Sequence, residues 1–316
     1  MAPDSPDSHL HALASRLSLR GLVLGFLTVL CWASAFPAIR IAVRGYTPVE
    51  IAFLRALAAT LVLGSIGFAQ GMALPRFRDL PAFAALGLIG HSLYTAVLSQ
   101  GQTRVPAAMA SFLVASAPVW MVLIGRLTGA ARIPRQALVG MTLSLFGVLL
   151  IAIGRMGTFK LNASALIVVS AAILQAIYSL GQRPLFARYS GLQIVTYSVF
   201  FALICFLPFG WSAFVRSAQV PPSQLLSAVF LGVVPTSLGY WAWAETNRHL
   251  PVEVAGAFLY LVPAVVLILA WLLLGERLAF SSLAGGILVV TGVVLVQRRR
   301  SPVPQLSRRS TPAPTR

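Results

Sequence analysis

Charge is what this sequence has least of. Only 10% of its 316 residues are Asp, Glu, Lys or Arg, and acids are the scarcest, 7 against 24 basic residues. A soluble domain carries about 25% charged residues, so this chain has too little charge to cover a surface facing water. Cysteine is also rare. Cys31 and Cys205 each lie inside an apolar run with no CxxC and no neighbouring histidine, which excludes a disulfide framework and a zinc site and leaves both as inert packing residues. No paired carboxylates, nucleophile–base pair or metal-ligand cluster occurs, so no catalytic residue, metal or cofactor is expected and an enzyme is disfavoured. The net charge of +17 would suit nucleic acid, but the basic residues stand singly between apolar runs or in the segment 298–316. No folded basic face follows, and nucleic acid is excluded as a partner. Asp4, Asp7, Pro3 and Pro6 argue against a cleavable signal at the N-terminus.

Apolar residues are abundant instead, at 58% of the chain, with a mean hydropathy of +0.86. A helix needs roughly 20 mostly apolar residues to cross a bilayer. Ten such runs occur: 21–43, 48–70, 80–101, 105–125, 134–153, 164–187, 191–211, 223–246, 251–273 and 280–297. Breakers and charges separate them, as at Arg76-Phe77-Arg78-Asp79 and Pro221-Pro222-Ser223. The expected fold is an all-α integral membrane protein, with the lipid bilayer as its surroundings and no soluble domain. Basic residues concentrate in the segments on the side of the N-terminus, including Arg16, Arg20, Arg76, Arg78, Arg126, Arg183 and Arg188. Both the N-terminal segment (1–20) and the Pro-, Ser- and Arg-rich tail (298–316) are therefore expected in the cytoplasm, the tail as a disordered segment against anionic lipid.

Sliding the chain against itself by 145 positions exposes a duplication. Pro106 falls on Pro251, Pro118 on Pro263, Leu86-Gly87 on Leu231-Gly232, and Gly140 and Gly147 on Gly285 and Gly292. A shift of 143 sets Ala33 on Ala176 and Arg40 on Arg183. The chain thus divides into a first repeat, 21–153, and a second, 164–297, of five runs each. Five is odd, so the second copy is expected upside down relative to the first. Charge agrees: Arg76, Arg78, Arg126 and Arg135 become Pro221, Ser223, Trp271 and Phe280. Inverted repeats are a device of secondary transporters, with interrupted helices at matched positions marking a midplane site. Pro118 and Pro263 form such a pair near the middle of their runs and have two readings, as static kinks or as hinges that shape a central cavity.

Several stretches carry a family resemblance: "CWASAFPAIRIA", "AFLRALAATLVL", "APVWMVLI" and, most specific, "LVPAVVLILAWLLLGERLAFSSLAGGILVVTGVVLV". Over residues 21–297 the chain resembles the EamA-type drug/metabolite transporter superfamily, ten-helix exporters of amino acids and other metabolites. The resemblance implies two inverted five-helix repeats around a central cavity in the bacterial inner membrane. The first copy departs from the pattern, carrying "GRLTGAARI" where the second has Gly275-Glu276-Arg277.

Polar and aromatic residues at membrane depth are the candidates for substrate contact. His91 and Tyr94 share one face of the third run, Gln175 and Tyr178 one face of the sixth, and Thr236, Tyr240 and Trp243 one face of the eighth. Trp32 in the first run matches Gln175, and His91 matches Thr236. Together these residues would line one amphipathic cavity for a planar or zwitterionic small-molecule substrate. Trp243 also suits a lipid-interface belt, and Gln175 suits interhelical bonding. His91 is open to two roles, carrying a coupling proton or remaining neutral and structural. Arg55 is open to three: snorkelling to the interface, pairing with a substrate carboxylate, or bracing carbonyls. Glu245 suits either an ion pair with Arg248 or proton coupling. Glu253 suits a helix start and Glu276 the turn between the last two runs. The expected function is secondary transport of a small metabolite, with amino acids the first choice and export the favoured direction. Uptake of a nucleoside- or cofactor-like solute is the alternative and a membrane-embedded enzyme a remote one. The oligomeric state is left open.

Overall fold

The computed structural model describes residues 18–128, 135–153, 163–250, 255, 258–277 and 280–297. The expectations for the first seventeen residues, for the tail 298–316 and for Pro251 and Glu253 lie outside them. Helices account for the rest of the architecture, in the order α1 (Leu19–Ala42), α2 (Pro48–Ala69), α3 (Phe77–Gln102), α4 (Ala107–Leu127), α5 (Arg135–Ile153), α6 (Ala163–Ala187), α7 (Gly191–Ser217), α8 (Pro222–His249), α9 (Leu259–Leu274) and α10 (Phe280–Gln297). Seven of these, α1 to α4 and α6 to α8, are long and apolar enough to cross a membrane. Shorter apolar stretches run over Leu138–Leu150, Leu259–Leu274 and Leu283–Leu295. Large apolar side chains stand exposed around the bundle, among them Phe146, Trp211, Leu226, Trp271 and Ile287. In water such a surface would aggregate; against acyl chains it is the ordinary outer face.

Local sequence sets the helix starts. Thr47 opens α2 with a capping box: its hydroxyl accepts from the Glu50 amide at 3.4 Å, and the Glu50 carboxylate accepts from the Thr47 amide at 2.8 Å. Ser190 and Gln193 repeat this box at the start of α7, 143 positions on. Gly275 ends α9 in the left-handed conformation, φ 64°, which glycine adopts without a Cβ clash. The Gly275 amide then donates to the Trp271 carbonyl, the bond of an αL helix ending, and the Glu276 amide donates to the Ala270 carbonyl.

Helix interruptions recur at matched positions. In α3 the turns widen to π-helix over Gly87–Leu93, and in α8 over Gly232–Leu238, 145 positions later at both ends. In α4 the helix stops at Val114 and restarts at Ala117, and α9 passes from a single 3-10 turn at Leu259–Leu261 into α-helix at Val262. Pro118 and Pro263 therefore do not kink continuous helices, as their mid-run positions suggested. Each occupies the first turn of a new segment, where the missing N–H leaves no bond unmade.

Packing is reciprocal between the two halves. A Cβ on Gly87 would stand 2.4 Å from the Ser198 carbonyl of α7, and one on Gly232 would stand 2.4 Å from the Arg55 carbonyl of α2. Ser198 is the match of Arg55. Likewise Gly147 approaches the Gly285 carbonyl, and Gly292 the Gly140 carbonyl, at 2.6 and 2.4 Å for the added Cβ. The α5–α10 contact is thus backbone against backbone, which only glycine permits. Pro222–Leu231 at the start of α8 packs closely along α1, whereas Leu80–Leu86, its match at the start of α3, stands further from α6 and meets it through the Phe83 and Leu86 side chains, Leu86 lying against Gly181.

Replacing Gly147 by Leu should force α5 and α10 apart and lower the melting temperature in detergent, an overpacking cost of about 1–3 kcal/mol. Gly125→Ala is the control, since a Cβ there meets nothing within 4 Å; equal melting of both variants would contradict the backbone contact.

Candidate functional site

Two turns into α2, Arg55 is 9% exposed and points into the bundle. Its Nε donates to the Thr236 hydroxyl of α8 at 2.9 Å. The snorkelling role is thereby overturned: the guanidinium is engaged between helices and does not reach an interface. Nor does it bond a carbonyl directly. Thr236 lies in the π-helical stretch, where the widened turn brings the carbonyl five residues back within reach, and its hydroxyl donates to the Leu231 carbonyl at 2.8 Å. Ser237 does the same to Gly232 at 2.9 Å. Pro235 has no amide hydrogen to contribute, and its own carbonyl accepts from the Trp32 indole at 3.2 Å. The π stretch of α8 therefore keeps its loosened carbonyls bonded through side chains while tying α1 and α2 to one place.

Aromatic rings continue from this point across the bundle. Trp32 packs against Trp243 with centroids 5.5 Å apart and against Tyr240 at 5.4 Å. Tyr240 meets His91 at 5.9 Å, and His91 meets Tyr178 edge-on at 5.2 Å. Tyr94, Tyr240 and His91 are all within electrostatic reach of the Arg55 guanidinium. Tyr178 lies flat on Gly90, where a Cβ would come within 2.1 Å of the ring. His91 and Tyr178 are only 7% and 1% exposed, yet His91 Nε2 and the Tyr178 hydroxyl have no hydrogen-bond partner. Trp32, Arg55, His91, Tyr94, Tyr178, Thr236, Tyr240 and Trp243 thus come together as one cluster from five helices. The contact of Trp243 with Trp32 argues against a purely lipid-facing belt role.

Other candidates fall elsewhere. Gln175 is half-buried one turn before Tyr178, with no hydrogen bond to the cluster. Glu245 pairs with Arg248 at 2.9 Å near the end of α8 and meets no cluster member. Pro118 and Pro263 stand in the first turns of the α4 and α9 segments, outside the cluster. Cys31 is buried beside the site, but Cys205 is exposed, so the packing role holds only for the first.

Every acid among the described residues is ion-paired away from the cluster. At one end of the bundle Glu50 takes Arg216 at 3.0 Å, and Glu276 takes Arg40 at 3.2 Å. At the other end Asp79 takes Arg188 at 3.1 Å and the Tyr189 hydroxyl at 2.7 Å. Glu276 does more than finish its own turn. The backbone bonds of Gly275 and Glu276 close that turn, freeing the carboxylate to accept from the Ala107 amide of α4 at 2.8 Å, while Arg40 donates on to the Gln102 carbonyl at 2.6 Å. These end ties escaped the sequence reading, because the partners are separated by more than a hundred positions and share no local pattern. The π stretches had a signal, the matched Gly87 and Gly232 with Pro235 beyond.

Thr236→Ala would strip the buried Arg55 Nε of its acceptor. The expected loss of stability in detergent is about 1.5–3 kcal/mol, the scale of a hydrogen bond to a charged group. Thr236→Ser should keep most of it, and equal melting of the two variants would show the bond to be idle.

The model of the EamA-like transporter family matches residues 19–153 and again 162–298. A Streptantibioticus cattleyicolor protein named "Probable terminal-alkyne amino-acid exporter" is 36% identical over 273 residues, 86% of this chain and 92% of its own length. An Escherichia coli protein named "Probable amino-acid metabolite efflux pump" is 25% identical, over 88% of this chain and 95% of its own. A crystal structure of a protein 20% identical to this chain superposes with a TM-score of 0.60, covering 89% of this chain and 98% of the other, which shows a shared fold. With two copies of the family pattern spanning nearly all of the helical residues, the chain belongs to the EamA-like transporter family.

Proposed function

We propose that this protein is a secondary transporter that exports a small metabolite of the amino-acid class across the bacterial inner membrane by alternating access. All ten helices cross the bilayer, as two five-helix repeats, 21–153 and 164–297, with both termini cytoplasmic and the Arg55 cluster as the shared site. The observation that carries this reading is the reciprocal packing of matched positions. Gly87 meets Ser198 while Gly232 meets Arg55, and Gly147 meets Gly285 while Gly292 meets Gly140. Such an exchange is the mark of two-fold symmetry. With an odd number of spans per repeat, the two-fold axis lies in the membrane plane and the repeats are inverted. The helix interruptions fall at matched positions, and the relatives' names supply the amino-acid class and the direction.

At the outer end Arg40, Glu276 and the Ala107 amide join, and at the inner end Asp79, Arg188 and the Tyr189 hydroxyl join, so each end of the site has its own tie.

Reconstituted in proteoliposomes, the protein should mediate saturable counterflow of a labelled amino acid. Reporter fusions after Arg155 and in the tail should report opposite compartments. Silence across amino acids, nucleobases and cationic drugs, or both reporters in one compartment, would overturn the reading. Glu276→Gln should loosen the outer closure and increase labelling of a cysteine placed at Tyr94 by an impermeant thiol reagent from outside; unchanged labelling would mean that Glu276 does not hold that end shut.

A further inference from the structure

We propose that Arg55 is the residue that makes a free carboxylate obligatory in the substrate, with His91 and Tyr178 receiving the substrate's amino group. This rests on the transporter reading above and goes further, to which substrate atoms are read and by which side chains.

The first ground is an unbalanced charge. Arg55 is buried in the span region with no acid beside it, because all four described acids are committed at helix ends: Glu50 to Arg216, Asp79 to Arg188, Glu245 to Arg248 and Glu276 to Arg40. A buried charge without a counter-charge is costly, and removing it would be the simpler design for packing alone. The second ground is geometry. Only Nε is used, in the bond to Thr236, and that bond fixes the plane of the guanidinium. The two terminal nitrogens remain to grip a carboxylate in the paired manner for which arginine is suited and lysine is not. In a site shielded from water, such a bond is stronger than on a surface.

The third ground is independent of Arg55. His91 Nε2 and the Tyr178 hydroxyl are both buried and both unpartnered, and their rings meet at 5.2 Å. Buried polar atoms are nearly always bonded, so two such atoms in one place point to a ligand group. An ammonium brings three donors, and a phenolic oxygen or an imidazole nitrogen without its proton accepts them. Tyr240 bridges the two poles, in ring contact with His91 on one side and Trp32 on the other. Trp32 and Trp243 offer the remaining wall to an apolar side chain. A cation, an acceptor pair and an aromatic wall match a free α-amino acid with an apolar side chain.

The test uses the full-length protein in proteoliposomes and three probes of nearly one shape: L-leucine, L-leucinamide and 4-methylpentanoic acid, which lacks the amine, with the corresponding phenylalanine series alongside. Against wild-type counterflow, the amide and the deaminated acid should each compete about tenfold or more weakly than the amino acid, the scale of one lost charge-assisted bond. In Arg55→Gln the preference for leucine over leucinamide should shrink to within about twofold, while Arg55→Lys keeps part of it, since a point charge attracts a carboxylate without gripping both oxygens. His91→Ala should erode the discrimination against the deaminated acid and leave that against the amide. The wild-type series needs no variant to fold, and melting temperatures identify variants that merely destabilise the bundle. Equal competition by leucine and its amide, or an equal fall for both in Arg55→Gln, would overturn the assignment and make Arg55 a brace. Export of another solute with no response to any amino acid would overturn it while leaving transport intact; no flux of any solute would overturn both.

Discussion

Inside a hydrocarbon slab no water is at hand to take up an unpaired peptide group, and this chain nevertheless loosens its helices there. The π stretch of α8 shows how the debt is met. Thr236 and Ser237 return their hydroxyls to carbonyls five residues back, and the Trp32 indole takes the carbonyl of Pro235. Each of these repairs also positions something. Trp32 is drawn to α8, where it stacks on Tyr240 and Trp243, and Thr236 presents its oxygen to Arg55. One half of the site, Trp32, Arg55 and Thr236, is in this sense assembled by the satisfaction of a helix defect.

The same coupling explains why only part of the site was legible. Periodicity placed His91 with Tyr94, Tyr178 with Gln175, and Thr236 with Tyr240 and Trp243, because a helical face is a local property. The family match agrees with the resemblance read from the sequence, and seven of the ten apolar runs form helices of membrane-crossing length. Which faces turn inward together is not local. Gln175 and Tyr178 share a face, yet only Tyr178 enters the ring cluster. Hydropathy is blind to whether a carbonyl is bonded four or five residues on, so the π stretches were invisible except through their matched glycines. Pro118 and Pro263 do mark interrupted helices, as their matched positions suggested, and each starts a new helical segment because the chain breaks just before it.

Acidic residues show the limit from another side. Glu276 belonged by sequence to a turn, and a local cap was the natural expectation. Gly275 performs that closure with backbone alone, and the carboxylate is released to join α1, α4 and α9 at one end of the bundle. In the first copy the matched position is Ala131, while Arg183 remains as the match of Arg40. The duplication thus kept the cation at both ends and the acid at one.

That asymmetry bears on how two nearly equivalent halves acquire a preferred arrangement. If the repeats were identical, the two exchanged packings would have equal energy and the empty protein would divide evenly between them. Each end instead carries its own buried carboxylate, Glu276 bound by Arg40 and the Ala107 amide at one and Asp79 bound by Arg188 and the Tyr189 hydroxyl at the other, and because these pairs do not occupy matched positions the two closures differ in energy. A few kcal/mol suffices to leave the minor arrangement at 0.1–10% of the population, roughly the range over which a ligand can still reverse the balance.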